Sequence, residues 1–320
     1  MKELCRFLSK IKKSEVIKLL QGIIPPLVTF FDENGSVDKE TNFRLIDILI
    51  EKEVDGLLLL GSSGEFTSMT HQQKSDYIDH VIPYINKRVK CMVNVGSNVV
   101  EEAVNLAIKA EKAGADAVLI VNPFYWPLSE AQLIDYFSEI IQSIKIDAYL
   151  YNVPMLSSQE IPVNIIPELL ERHDNLKGIK ETVSDIGRYR KLIENVRPKN
   201  TEFVILTGFD DHLLPGMMIG TNGSINSTAV VFPEISVKLK KAMEQQHFEA
   251  VNRYQNLIAE AMQLYDINNS FFSTIKEAVS YRWFNGERVY HKKPFHLINA
   301  NTRSEVERIV DNINRKWKED

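Results

Sequence analysis

The residues best suited to covalent chemistry stand at the ends of short apolar runs. In LKGIKET from Leu176, the period-two alternation of a strand puts Leu176, Gly178, Lys180 and Thr182 on one face and Lys177, Ile179 and Glu181 on the other. With Ile179 turned toward covering helices, Lys180 faces inward and Gly178 leaves space beneath it. Apolar walls there favour the neutral amine that can attack a ketone. A lysine paired to a carboxylate or snorkelling outward is the plainer reading of any strand lysine. DAYLYNVP from Asp147 sets Tyr151 opposite Leu150, so its phenol shares the interior, where it can relay protons or simply cap a core. GSSGEF follows another strand, and the backbone N–H groups and hydroxyls of Gly61, Ser62 and Ser63 can hold a carboxylate without a full positive charge. This turn is neither a P-loop nor a nucleophile elbow, since no Gly-Lys follows and Glu65 occupies the place of the last glycine. Glu65 reads as a hydrogen-bonded structural carboxylate. GTNGS from Gly220 lies where barrels often bind phosphate but carries no Lys or Arg. The seven histidines show no HxH or HExxH spacing, so neither a metal nor any other cofactor is expected.

These strand ends belong to a repeated alternation. Eight apolar runs begin at Gly22, Val54, Val89, Ala115, Asp147, Leu176, Phe203 and Gly223, with helix-like stretches between them. KETNFRLIDILIEKE from Lys39 and EEAVNLAIKAEKAG from Glu101 have helical spacing, the second ending on a glycine suited to a helix C-terminus. Thr70 with Gln73 and Ser129 with Gln132 each fit a capping box. Runs that are apolar throughout, rather than alternating, suit parallel strands covered by helices. Eight such units predict an α/β fold, a (β/α)8 TIM barrel, with an open doubly wound sheet as the runner-up. After Pro233 the strand signals stop and amphipathic helices follow. The expected layout is a helical extension over 1–21, the barrel over 22–232 and a C-terminal helical appendage over 233–320.

Composition narrows the function classes. The 320 residues are 44% apolar and 25% charged with a net charge of −5, which suits a globular enzyme and provides no basic footprint for nucleic acid. Only Cys5 and Cys91 occur, too few for a disulfide framework, so a reducing, cytoplasmic compartment is expected. No apolar run approaches the roughly 18 residues of a membrane helix, and the opening MKELCRFLSKIKKSEVIKLL lacks a signal-peptide pattern. The expected partner is a small molecule, with neither nucleic acid nor membrane.

Taken in order, GSSGE, PFYWP, YNVP, GIKET and GFDDHLL followed by GTNGSINST resemble the dihydrodipicolinate synthase / N-acetylneuraminate lyase family from about Gly22 to about Trp283. That resemblance implies a class I aldolase with Lys180 as Schiff-base nucleophile and Tyr151 as proton shuttle. It implies a cradle of Ser62 and Ser63 for the pyruvyl carboxylate, with the Ile225 carbonyl nearby. It also implies a homotetramer in which Tyr125 completes the relay in a neighbouring subunit's site. Phe124, just before it, stands where the synthases usually have tyrosine.

The departures bear on substrate. Dihydrodipicolinate synthases carry an arginine about two residues after the YNVP-type motif, to bind aspartate semialdehyde. Here that place is Leu156, and no arginine follows until Arg172. Leucine cannot bind a second carboxylate. YNVPMLSSQEI, PFYWPLSEAQL and GFDDHLL most resemble the 2-keto-3-deoxy-gluconate and pentonate aldolase branch. The expected reaction is reversible cleavage of a 2-keto-3-deoxy sugar acid to pyruvate and an aldehyde. Dihydrodipicolinate synthase, N-acetylneuraminate lyase and a non-catalytic sensor that keeps the pyruvate pocket are the alternatives.

Overall fold

Continuous apolar runs can only be buried if both faces of the sheet are covered, and that is the arrangement found. A computed structural model of the protein describes residues 19–318, so nearly all of the extension expected over 1–21 lies outside the described residues. Eight parallel strands form one sheet: β1 (Gly22–Ile23), β2 (Gly56–Leu59), β3 (Lys90–Asn94), β4 (Ala117–Val121), β5 (Asp147–Asn152), β6 (Leu176–Glu181), β7 (Val204–Thr207) and β8 (Gly223–Ser224). From β2 to β8 each strand pairs with its sequence neighbour, and β8 pairs with β1. Closure between β1 and β2 comes from the bridge of Pro26 to Leu58, in which Leu58 N–H donates to Pro25 O at 3.0 Å and Leu27 N–H to Leu58 O at 2.9 Å, and from Asp55 N–H donating to Ile23 O at 2.9 Å. The run from Gly22 is thus a shorter strand than its composition suggests. Pro25 and Pro26 have no N–H, so the ladder survives only where the prolines need merely accept.

Helices α1 (Lys39–Glu51), α2 (His71–Ile85), α3 (Val100–Ala113), α4 (Glu130–Ile141), α5 (Ile165–Arg172), α6 (Ile186–Val196) and α7 (Leu213–Ile219) lie between successive strands. Their ends follow local chemistry. Both expected capping boxes form, Thr70 with Gln73 on α2 and Ser129 with Gln132 on α4. Gly114 closes α3 at φ +98°, a left-handed position that glycine adopts without strain. Helix α8 (Pro233–Glu244) starts on a proline and packs against β1, and α9 (Phe248–Ala261), α10 (Phe271–Trp283) and α11 (Ala300–Lys318) complete the chain.

Helix α10 differs from the rest because Ser273 through Ser280 are all buried, polar residues included. It lies against α11, the single turn Thr228–Val231 and the turn Ser62–Gly64. With α10 and the segments around it, the chain beyond α8 therefore roofs the strand ends that carry the candidate chemistry.

Candidate active site

Lys180 is the fifth residue of β6, in register with Tyr151 on β5 and Leu206 on β7. Alternation holds: Ile179 and Glu181 are fully buried on the outer side, and Lys180 is 5% exposed. Its Nζ lies 4.1 Å from the centre of the Tyr151 ring. The space left by Gly178 is filled by a neighbour rather than open to the amine. A Cβ on Gly178 would come within 2.7 Å of the Tyr149 ring and 2.5 Å of Val204 O. Tyr149, two residues before Tyr151 on the same face, plugs the barrel beneath Lys180 and donates to Leu20 O at 3.1 Å.

Tyr151 OH meets Ser62 Oγ at 3.3 Å, which joins Lys180, Tyr151 and the turn after β2 in one cluster. The turn is a single 3-10 unit, Ser62–Gly64, entered from Gly61 in extended conformation and left through Glu65 at φ +58°. Ser63 Oγ lies 2.7 Å from Ser227 Oγ, and both hydroxyls are buried. Ile225 follows β8, its N–H donating to Thr207 O at 2.8 Å. Six of the seven expected site residues, Gly61, Ser62, Ser63, Tyr151, Lys180 and Ile225, thus stand on the strand ends of one barrel mouth.

The seventh, Tyr125, stands apart. It is 75% exposed, it holds φ +91°, and its ring packs edge-on against Trp126 with centroids 5.2 Å apart. A large aromatic residue in that backbone region is strained.

Asp210, Tyr265 and Lys276 escaped the sequence reading, whereas Glu65 is the structural carboxylate it expected. Asp210, fully buried, accepts from Tyr265 OH at 2.6 Å, Thr228 N–H at 2.8 Å, Asn226 Nδ2 at 3.0 Å and the Thr228 hydroxyl. Tyr265 OH in turn accepts from Ser227 N–H at 3.2 Å, so a chain of contacts runs from Asp210 to Ser63. Burial pushes the Asp210 carboxyl up, against these four donors. Glu65 is likewise a buried hydrogen-bonded carboxylate. It accepts from Lys276 Nζ and from Lys292 N–H at 3.0 Å, and His291 Nδ1 lies 3.0 Å away. Burial lowers Lys276 to about 8 against the pull of Glu65. Burial also pushes Glu65 up, but His291 and Lys276 outweigh it and the carboxyl sits below its ordinary range. Asp210 and Glu65 belong to quoted motifs, whereas Tyr265 and Lys276 lie on C-terminal segments where helical spacing alone gives no reason to connect them with the barrel mouth.

Beside Ser62 and Tyr151 opens a cavity of about 340 Å³, lined by Phe124, Leu156 and Ser157 from the barrel side and by Phe271, Phe272 and Phe295 from the roof. Among the described residues no group of three or more His, Cys, Asp or Glu is placed to hold a metal ion, and no helix is long and apolar enough to cross a membrane.

Comparison with known proteins agrees with this geometry. The chain is 34% identical over 261 residues to a putative 2-dehydro-3-deoxy-D-gluconate aldolase, YagE, of Escherichia coli K12, covering 82% of this chain and 86% of that protein. It is 33% identical to a probable 2-dehydro-3-deoxy-D-pentonate aldolase, YjhH, of the same organism, covering 81% and 86%. The crystal structure of YagE in complex with pyruvate superposes with a TM-score of 0.89 at 30% identity, covering 93% of this chain and 99% of that one. The profile of the dihydrodipicolinate synthetase family matches residues 19–313. With its closed parallel barrel and strand-end motifs, the chain belongs to the dihydrodipicolinate synthetase family and is a lyase.

Proposed function

We propose that the protein is a class I aldolase that reversibly cleaves a 2-keto-3-deoxy sugar acid to pyruvate and an aldehyde through a Schiff base on Lys180. The observation that carries this reading is the buried Lys180 amine over the Tyr151 ring, with Tyr151 OH against Ser62. The Lys180 amine adds to the C2 ketone and water leaves, giving an iminium. The C3–C4 bond then breaks and its electron pair passes into the iminium to form an enamine, while Tyr151 takes the proton of the C4 hydroxyl, which becomes the aldehyde. Reprotonation at C3 and addition of water release pyruvate and the free lysine. The first donors of the Ser62–Gly64 turn, with the Ser62 and Ser63 hydroxyls, suit the pyruvyl carboxylate, and Ile225, just after β8, is proposed to add its carbonyl there.

Leu156 in the cavity wall, where a synthase would have arginine, and the likeness to YagE and YjhH favour a sugar acid over aspartate semialdehyde. The exposed, strained Tyr125 supports a homotetramer in which this phenol enters a neighbour's site. Borohydride added with pyruvate should fix a reduced pyruvyl adduct on Lys180, located by peptide mass spectrometry, and absence of that adduct refutes the Schiff base. Condensation of pyruvate with aspartate semialdehyde alone, among aldehydes offered, refutes the choice of substrate.

A further inference from the structure

We infer that the aldehyde half of the substrate is short and uncharged and ends in hydrocarbon, so that the favoured 2-keto-3-deoxy acid has a methyl group as its last carbon. This rests on the proposed aldolase reading, since it takes Lys180 and Tyr151 as the floor of the site. The cavity beside that floor is walled by Phe66, Phe124, Val153, Leu156, Phe272 and Phe295, and among the described residues no charged side chain lines it. At about 340 Å³ it is at the small end of ligand pockets, which run from about 300 to 1,000 Å³.

Its polar side chains lie at the floor and the rim rather than along the aromatic wall. Ser157 Oγ is buried and shared between Val153 O at 3.1 Å and Gln159 O at 3.0 Å. Thr67 and Asn269 are exposed at the rim beside the half-buried Ser270, while Ser62 and Tyr151 face each other at the floor.

The wall is also stiff. Phe272 packs edge-on against Phe295 with centroids 4.8 Å apart and against His291 at 5.9 Å, and His291 is fixed on Glu65. Phe271 stacks on Tyr265, which Asp210 holds. A terminal hydroxyl laid against this wall gives up its water without gaining a partner, whereas a methyl gains apolar burial.

Lactaldehyde and glyceraldehyde differ only in that terminal hydroxyl, and each forms one carbon–carbon bond with the pyruvate enamine, so they isolate the effect. Steady-state condensation with pyruvate should give kcat/KM at least about tenfold higher for lactaldehyde, the discrimination one small group earns in an apolar pocket. Phe295→Asn, which sets an amide in the wall, should bring the ratio toward one. Borohydride trapping of pyruvate is run in parallel. Trapping on Lys180 with glyceraldehyde equal or better overturns this inference alone. Trapping with turnover of none of the aldehydes, or with fastest turnover of aspartate semialdehyde, overturns this inference together with the proposed sugar-acid reaction and leaves only the Schiff base standing. Loss of trapping overturns the aldolase reading and this inference with it.

Discussion

Lys180 and Glu181 are consecutive residues with opposite surroundings, and the strand's alternation separates them. Lys180 faces the barrel mouth, and Glu181 is fully buried behind it, taking hydrogen bonds from Asn152 and from Arg188 Nε at 3.1 Å. Arg188 is shared with Glu160 Oε1 at 2.5 Å. Burial pushes Glu181 from its ordinary 4.5 up to about 7, against the pull of Arg188 and Asn152. Between those two values the folded chain keeps a proton that the unfolded chain has lost, so this group's contribution to stability is full below 4.5 and is lost as pH rises through 7. Its slope is at most on the order of 1.4 kcal/mol per pH unit. Glu181→Gln keeps an acceptor for Asn152 and removes the titration, so its melting temperature should fall less between pH 5 and pH 8 than that of the parent. Parallel curves for the two proteins would contradict this origin. Which of the two neighbours is inward was legible from periodicity. The partners of Glu181 were not, because Asn152 and Arg188 reach it from a different strand and from α6.

At the scale of elements, the Ser62–Gly64 turn is held from outside the strand that carries it. Glu65, the residue that ends the turn in a left-handed conformation, is tied to Lys276 on α10, and both side chains are fully buried. Lys276→Met leaves the Glu65 charge buried with fewer donors and should cost about 3–5 kcal/mol, read as a shift in the denaturation midpoint. Pairing it with Glu65→Leu removes the stranded charge and should recover much of that loss. Because the turn also carries Ser62 and Ser63, the single variant should raise KM for pyruvate more than it lowers kcat. A fall in kcat alone would separate the ion pair from substrate binding. Strand and helix positions were readable from apolar runs, caps and Gly114. That α10 is buried all round was not readable, since its polar residues break the apolar stripe and are buried by pairing with segments far off in the chain.

At the scale of the whole molecule, Tyr125 is the residue that a single chain does not bring to the cluster. Its exposure and its positive φ are features that contact with another copy would account for, in keeping with the proposed tetramer. Lys180→Ala and Tyr125→Phe chains should each be nearly inactive alone. When the two are denatured, mixed and refolded together, hybrid assemblies should regain activity, because a site with Lys180 from one chain can take Tyr125 from the other. Mixtures no more active than either parent would place Tyr125 outside the neighbouring site.

Sequence by itself determined the eight-fold alternation, the barrel that it implies, the inward face of β6 and the motif residues at the strand ends, because periodicity, capping and turn chemistry are local. It also singled out Leu156 as a missing charge. Tertiary structure decided what surrounds these residues. Gly178 makes room for Tyr149, Asp210 and Tyr265 steady Ser227, Lys276 secures Glu65, and the wall beside Tyr151 is aromatic. Each of those contacts joins segments distant in sequence, and a contact of that kind exists only once the barrel has closed and the C-terminal helices have covered its mouth.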